Sequence, residues 1–221
     1  MVMRRQELAK MIDYTLLDPS ATRSRLESFL EEAKTYEVYA VCVNPTWVPL
    51  AVQSLQASVV RVCSVVGFPF GASLPEVKAF EAETVVSLGA DEVDMVMNIG
   101  ALKSQDYDRV VADITGVVKA SNGHLVKVII ETGYLSDPEK VKACELAEQA
   151  GAAFVKTSTG FGPGGATVAD VRLMRETVGN RLGVKASVGI RTLKTALEMI
   201  DAGANRIGTS SGIRILKECP T

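Results

Sequence analysis

The 221-residue chain contains a single histidine, His124, and only four cysteines, none of them in a C-x-x-C pair. We expect His124 in the turn between a helix and a strand, away from any reactive group. Serine–histidine and cysteine–histidine mechanisms therefore lack a general base. The cysteine spacing predicts neither a zinc site nor a disulfide framework, and it favours a reducing cytoplasm.

Long apolar runs and an excess of one charge are also missing. No apolar stretch reaches the ~18 residues of a membrane-spanning helix, and the first residues lack the apolar core of a signal peptide. Formal net charge is −2 with both signs mixed along the chain, whereas nucleic-acid binding needs a concentrated basic face. We therefore expect a cytoplasmic protein that binds neither membranes nor nucleic acids.

What the chain does contain is a regular alternation of strand and helix patterns. A hydrophobic content of 47% over 221 residues suits one well-packed domain spanning 1–221. Short β-branched runs alternate with helical apolar stripes, and this pattern predicts a parallel sheet covered by helices. The predicted strands are 11–15, 40–43, 59–66, 92–97, 125–131, 153–158, 183–187 and 206–209.

An internal repeat favours a closed barrel. Three helices end in Gly-Ala and lead into a strand, as GADEVD at 89–94, GAAFVK at 151–156 and GANRIG at 203–208. These copies fall on the fourth, sixth and eighth strands, and alternate strands of an eight-stranded barrel share an interior layer. Asp94, Lys156 and Gly208 then occupy equivalent inward positions, with a carboxylate facing an ammonium group.

We predict an α/β fold, a single (β/α)8 TIM barrel with a short N-terminal helix. An open doubly wound sheet is the alternative, weakened by the absence of G-x-G-x-x-G after the first strand.

Two lysines stand in the middle of apolar strands, at Lys156 and Lys185, although lysine is almost never fully buried without a partner. An ordinary lysine is the neutral nucleophile in only about one molecule in 2,500 at pH 7, but burial and a neighbouring cation both favour the neutral amine. Such an amine attacks carbonyls to form a Schiff base. In the alternative, both ammonium groups reach the strand ends and form structural ion pairs; two lysines near Asp94 favour chemistry. Lys127, which begins its strand, is interpreted as structural, and Glu131 as a supporting residue.

Glycines and hydroxyl residues collect after the last three strands, as TSTG at 157–160, SVG at 187–189 and GTSSG at 208–212. Barrels commonly bind phosphate at the loops after strands seven and eight, through backbone N–H groups and a helix N-terminus. Helix capping by the same serines is a compatible alternative. Their concentration at one corner favours a phosphate-bearing substrate.

Together these segments resemble the deoxyribose-phosphate aldolase family over nearly the whole chain. The resemblance implies a class I aldolase without metal or cofactor, which reversibly cleaves 2-deoxyribose 5-phosphate to acetaldehyde and glyceraldehyde 3-phosphate. It implies that Lys156 forms the Schiff base, that Asp94 is the acid and base acting through a water, and that Lys185 assists Lys156. Another Schiff-base aldolase or transaldolase, or a phosphosugar-binding barrel without catalysis, is the alternative. The matching segments are IDYTLL (12–17), VCVNP (41–45), VGFPFG (66–71), EVDMV (92–96), KVIIET (127–132), VKTSTG (155–160), VKAS (184–187) and IGTSS (207–211).

The resemblance further implies a small phosphosugar as the binding partner, and we expect a homo-oligomer. Two positions depart from the family pattern: Tyr14 stands where many relatives have histidine, and Val188 replaces the first glycine of a Ser-Gly-Gly turn. Valine prefers negative φ, so we expect Val188 to offer its N–H from that conformation and the phosphate grip to be looser or differently shaped. The implied substrate contacts are Asp13, Thr15, Cys42 and Thr159, and the implied phosphate contacts are Gly160, Gly189, Ser210 and Ser211.

Overall fold

The computed structural model describes residues 3–220, in which eight strands close into a parallel barrel in chain order. The first strand pairs with the eighth, so the predicted (β/α)8 barrel is confirmed and the open sheet is excluded. Each predicted strand agrees with the observed one to within two residues at either end, and His124 lies exposed in the bend before the fifth. The strands are β1 (Ile12–Leu16), β2 (Ala40–Val43), β3 (Arg61–Val66), β4 (Glu92–Val96), β5 (Leu125–Ile129), β6 (Phe154–Lys156), β7 (Gly183–Ser187) and β8 (Arg206–Thr209).

The helices pack around the barrel and include the short N-terminal helix that the sequence predicts. That helix is tied down because the guanidinium of Arg5 donates to the carbonyl oxygens of Leu216 (2.9 Å) and Cys219 (3.2 Å). Within residues 3–220, no helix combines the length and the apolar character needed to cross a membrane. The helices are α1 (Arg5–Ala9), α2 (Arg23–Tyr36), α3 (Val48–Leu55), α4 (Pro75–Ser87), α5 (Ile99–Lys103), α6 (Tyr107–Ala120), α7 (Asp137–Gln149), α8 (Val168–Val178), α9 (Leu193–Asp201) and α10 (Gly212–Glu218).

Strand alternation separates a polar barrel interior from an apolar layer beneath the helices. On β1, Asp13 is buried among interior charges, whereas Tyr14 stacks on Phe29 of α2 with ring centroids 4.3 Å apart. Tyr14 therefore lies outside the interior, on the opposite face of its strand. In the register of the barrel, Lys156 of β6 is paired directly with Lys185 of β7.

The repeated Gly-Ala segments end their helices as the sequence predicts. Gly89, Gly151 and Gly203 all have positive φ, at 102°, 84° and 112°, which is the left-handed conformation of a helix cap. On β8, a Cβ added to Gly208 would lie 2.9 Å from Cε of Lys185. The glycine therefore provides the space through which the Lys185 side chain crosses the interior.

A buried ion pair joins α4 to α6, outside the barrel interior. Nζ of Lys78 lies 2.5 Å from Oδ2 of Asp113 and 3.0 Å from the carbonyl oxygen of Val96. Burial raises the pKa of Asp113 and lowers the pKa of Lys78, in each case against the effect of the partner. Desolvation therefore outweighs the attraction within this pair.

We predict that Asp113→Asn lowers the free energy of unfolding by about 3–5 kcal/mol, because it leaves the Lys78 ammonium buried without an anion. The double variant Lys78→Met/Asp113→Asn removes both charges and is expected to lose less. Urea unfolding followed by tryptophan fluorescence measures both changes. A double variant less stable than the single one contradicts this account of the pair.

Candidate active site

A cavity of about 320 Å³ opens at the C-terminal end of the barrel, between the loops that follow β1, β6, β7 and β8. Barrel enzymes carry their active sites at this end. The cavity is lined by Thr15, Leu16, Leu17, Asp18, Arg25, Lys156, Ser158, Thr159, Gly160, Phe161, Ser187, Val188, Gly189, Ile190, Arg191, Gly208, Thr209 and Ser210.

Lys156 is the interior lysine that reaches this cavity. It ends β6, and 3% of its side chain is exposed, whereas the side chains of Lys127 and Lys185 are fully buried. Nζ of Lys156 donates to Oδ2 of Asp94 at 2.8 Å. The structure therefore brings together the carboxylate and the amine that the repeat places in one layer, with the amine facing the cavity.

Asp94 accepts hydrogen bonds from three lysines. Lys127 donates to Oδ1 at 2.8 Å, while Lys156 and Lys185 donate to Oδ2 at 2.8 and 2.7 Å. Burial on its own raises the pKa of this carboxyl, but the three ammonium groups outweigh it and hold the pKa well below its usual range. Asp94 is therefore held in its ionised form by its lysine neighbours.

Lys185 lies between two carboxylates. Its Nζ is 2.5 Å from Oδ2 of Asp13 and 2.7 Å from Oδ2 of Asp94, and Oδ1 of Asp13 accepts from Nη1 of Arg206 at 2.8 Å. Burial lowers the pKa of Lys185, but Asp13 and Asp94 raise it by more, so the net shift is upward. From the sequence we expect the ammonium groups of Lys185 and Lys156 to crowd one another near Asp94; in the structure the charge of Lys185 is balanced by Asp13 as well as by Asp94.

Lys127, the middle residue of β5, belongs to the same interior cluster. Its Nζ lies 2.6 Å from Oε2 of Glu92, 2.8 Å from Oδ1 of Asp94 and 3.4 Å from Sγ of Cys63. Glu92 was not predicted from the sequence as a member of this cluster. A signal for it exists, because Glu92 and Asp94 are two residues apart on one strand and so face the same side.

The four implied substrate contacts divide between the cavity wall and the layer beneath it. Thr15 and Thr159 line the cavity, whereas Asp13 and Cys42 are completely buried below it. The hydroxyl of Thr15 donates to the carbonyl oxygen of Asp13 at 2.9 Å. Asp13 therefore lies beneath the cavity, in contact with Lys185 at 2.5 Å.

Potential metal ligands meet at one point of the interior. The ligand atoms of Cys42, Cys63 and Asp94 all lie within 4.8 Å of one another. Burial raises the pKa of the Cys63 thiol well above its ordinary value, and lysine ammonium groups already occupy both oxygens of Asp94. A protonated thiol and a ring of cations suit a metal ion poorly.

Glu131 fixes the loop that follows β6. Its carboxylate accepts from the backbone N–H of Thr159 at 3.1 Å and also from the Thr159 hydroxyl. A Cβ added to Gly162 would lie 2.9 Å from Cδ of the same carboxylate. Glu131 is buried at a φ of 53°, so the fold holds a non-glycine residue in the left-handed region to make these contacts.

The glycine- and serine-rich corner presents free backbone donors to the cavity. Gly160, Gly189 and Ser210 line it, and within residues 3–220 their N–H groups have no acceptor. Converging N–H groups of this kind suit an anion. Ser211 is placed differently: its N–H donates to Oγ1 of Thr209 at 2.9 Å, and the residue precedes α10.

The expectation of negative φ at Val188 is wrong. Val188 has φ 76° and is followed by Gly189 at 84°. Its side chain fills the space that Gly160 and Gly165 leave, since Cβ atoms there would lie 3.3 Å from Cγ2 and 3.0 Å from Cγ1. Its carbonyl oxygen accepts from the N–H of Ala166 at 3.1 Å. A left-handed β-branched residue is strained, and the contacts with the preceding loop hold it there.

Sequence reasoning missed the charged residues at the cavity mouth. Arg25 of α2 pairs with Asp18 at 2.7 Å, and Arg191 is exposed two residues after Gly189. The position of Arg191 beside the glycine turn is a usable signal for a cation near a phosphate. Arg25 carries no such signal, because only the closed fold brings α2 to this corner.

Comparison with known proteins identifies the family. A model described as "DeoC/LacD family aldolase" matches residues 8–218. The chain belongs to the DeoC/LacD aldolase family. A relative from Enterococcus faecalis named deoxyribose-phosphate aldolase is 60% identical over 211 residues, covering 95% of this chain and 96% of the relative. A protein of the same name from Thermoanaerobacter sp. is 58% identical over 214 residues, covering 96% of each chain.

Solved structures agree with this membership of the DeoC/LacD aldolase family. The structure described as "QR15, an Aldolase" superposes with a TM-score of 0.93 at 46% identity, covering 96% of this chain and 95% of that one. The tetrameric deoxyribose phosphate aldolase from Aeropyrum pernix superposes with a TM-score of 0.90 at 35% identity, covering 96% and 91%. The barrel found here is therefore the barrel of aldolases in this family.

Proposed function

We propose that this chain is a class I deoxyribose-phosphate aldolase, which reversibly cleaves 2-deoxy-D-ribose 5-phosphate to acetaldehyde and D-glyceraldehyde 3-phosphate. The observation that carries the proposal is Lys156, an amine at the floor of a cavity with its Nζ 2.8 Å from a buried carboxylate. The names of relatives at about 60% identity support the substrate. One barrel, spanning 1–221, is proposed as the whole catalytic domain, and a cytoplasmic location accords with four free cysteines.

The proposed reaction begins when the Lys156 amine adds to the aldehyde carbon of the open-chain sugar and water leaves, giving an iminium ion. The iminium takes up the electron pair of the bond between C2 and C3 as that bond breaks, which gives an enamine of C1 and C2, while the C3 hydroxyl loses its proton and becomes the aldehyde of the departing product. Asp94, acting through a water, passes this proton to the enamine carbon. Hydrolysis of the resulting imine then releases acetaldehyde and restores Lys156.

Acetaldehyde release from 2-deoxyribose 5-phosphate, followed with an alcohol dehydrogenase and NADH, tests this function. We expect turnover that EDTA leaves unchanged, because the iminium supplies the electron sink. Faster cleavage of another phosphosugar assigns the chain to a different Schiff-base aldolase or transaldolase. Binding of phosphosugars without any cleavage contradicts the catalytic proposal.

Val188 should set how the cavity holds phosphate. Val188→Gly relieves the strained φ and withdraws the isopropyl group from the cavity wall, so a phosphate comes closer to the backbone donors. We expect KM for 2-deoxyribose 5-phosphate to fall by roughly 3- to 10-fold, the scale of one improved charge-assisted hydrogen bond. KM for plain 2-deoxyribose serves as the control and should stay nearly constant. Equal changes in both KM values exclude a phosphate role for this turn.

A homo-oligomer is also part of the proposal. Four apolar side chains at and before the start of α4 are largely exposed: Phe70 (74%), Leu74 (61%), Val77 (51%) and Phe80 (70%). A stripe of this kind is typical of a protein interface, and the Aeropyrum pernix relative is tetrameric. Light scattering of the parent and of Phe80→Glu measures the mass. If the parent is a monomer, the proposed homo-oligomer is wrong. If Phe80→Glu has the same oligomeric mass as the parent, the interface does not include this stripe.

A further inference from the structure

The interior charges of the barrel form a closed ring of alternating sign. Asp13 contacts Lys185 (2.5 Å), Lys185 contacts Asp94 (2.7 Å), and Asp94 contacts Lys127 (2.8 Å). The ring closes through one more carboxylate and one more cation. Lys127 contacts Glu92 (2.6 Å), Glu92 contacts Arg206 (3.4 Å), and Arg206 returns to Asp13 (2.8 Å).

The ring is electrically balanced without Lys156. It holds three carboxylates, of Asp13, Glu92 and Asp94, and three cations, of Lys127, Lys185 and Arg206. For Asp13, Lys127 and Arg206, burial opposes the charged form, yet their ring partners shift each pKa toward that form. A protonated Lys156 would be a fourth positive charge in the interior, and it contacts the ring at Oδ2 of Asp94 (2.8 Å).

The part of the ring remote from the cavity lies beneath two aromatic side chains. The guanidinium carbon of Arg206 lies 3.5 Å from the centroid of the Tyr39 aromatic ring and 5.4 Å from that of Phe154. Glu92 is fully buried, and its other oxygen, Oε1, lies 3.7 Å from Nη1 of Arg61. Glu92 and Arg206 do not line the cavity. Any effect they have on the reaction must pass through their ring neighbours.

We propose that Glu92 and Arg206 are positioning residues, which complete a neutral charge ring and thereby leave Lys156 free to be an uncharged nucleophile. This inference rests on the proposed Schiff-base function. Because three cations already balance the three carboxylates, losing the proton of Lys156 leaves no buried anion uncompensated. When one ring cation is removed, the three carboxylates face only two ring cations. A protonated Lys156 must then supply the third positive charge, so its neutral form is disfavoured.

The remaining titratable groups around Lys156 lie outside the ring. Cys42 and Cys63 share the same interior: the neighbouring Cys63 thiol lowers the pKa of Cys42, whereas burial raises the pKa of Cys63 well above its ordinary value. At the cavity mouth, Arg25 is paired with Asp18. Arg191 is exposed there, where water and salt screen its charge.

The test measures how fast Lys156 is labelled by acetaldehyde and cyanoborohydride as a function of pH, with the labelled residue identified by peptide mass. Arg206→Gln leaves three carboxylates with two ring cations, so we expect its labelling profile to move to alkaline pH by about one unit. At a fixed pH below the plateau, this shift makes labelling roughly 10-fold slower. Glu92→Gln leaves two carboxylates with three cations, so its profile should move toward acid pH. The double variant Glu92→Gln/Arg206→Gln restores the balance and should return close to the parent.

Controls separate charge balance from damage to the fold. Arg206→Lys keeps the charge and should keep the profile, and Lys78→Met/Asp113→Asn, which deletes a buried ion pair between α4 and α6, should leave it in place. If Arg206→Gln does not fold, Lys127→Met deletes another ring cation and must show the same alkaline movement. The charge-balance proposal is wrong if the labelling profiles of Arg206→Gln and Glu92→Gln move in the same direction. It is also wrong if the two shifts do not cancel in the double variant. Failure to label Lys156 in the parent refutes the Schiff-base function instead, so the two failures are distinguishable.

Discussion

Lys156→Ala should lower the rate of deoxyribose 5-phosphate cleavage by about 10⁴-fold or more, the scale seen when a covalent nucleophile is removed. The variant has no amine at the cavity floor, so neither the iminium nor the enamine forms. Its fold should be retained, because the balanced cluster of Asp13, Asp94 and their cations does not depend on the Lys156 charge.

The steady-state rate of acetaldehyde release measures this loss, and thermal unfolding of the variant checks that the barrel persists. Lys119→Ala, on the exposed face of α6, is the matched control and should keep the parent rate. A folded Lys156→Ala protein that retains a tenth of the parent rate rules out Lys156 as the nucleophile.

The second large effect is expected for Lys185→Leu, which keeps bulk and removes a cation held by Asp13 and Asp94. Two carboxylates then lose a partner, and Lys156 is the ammonium group that still donates to Oδ2 of Asp94. We expect activity near pH 7 to fall by ~10-fold for each unit by which the pH–rate profile moves to alkaline pH, and part of it to return as the pH rises. The Lys156 adduct should still form.

Asp94→Asn is the informative comparison for Lys185→Leu. It leaves the amine in place but removes the proton carrier, so cleavage should fail at every pH while slow imine formation persists. If the rate of Lys185→Leu is lower at every pH but its pH–rate profile is not displaced to alkaline pH, the result contradicts an effect on the protonation of Lys156. Lys185 then transfers protons or positions substrate directly.

The sequence predicts the barrel and the reactive pair well because both follow from short-range patterns. The Gly-Ala repeats mark the ends of helices, and the fixed offset to Asp94 and Lys156 identifies inward positions on alternate strands. No pairing register had to be known for that step. Glu92 and Arg206 were not predicted, although the same repeat places both three residues after the glycine, on the fourth and eighth strands. What the sequence does not show is their contact at 3.4 Å across the closed barrel.

One error has a clear physical origin. The expected negative φ of Val188 rests on backbone preference alone. In the structure, the loop carrying Gly160 and Gly165 packs Val188 into the left-handed region. Tertiary packing overrides a local preference worth only a few kcal/mol.

The measurement that tests the central claim most directly is borohydride reduction of the parent protein during reaction with 2-deoxyribose 5-phosphate, followed by peptide mapping. We predict one stoichiometric adduct on Lys156, with activity lost in proportion to labelling. An adduct on Lys185 or Lys127, or complete turnover with no reducible intermediate, would contradict the assignment of Lys156 as the Schiff-base lysine.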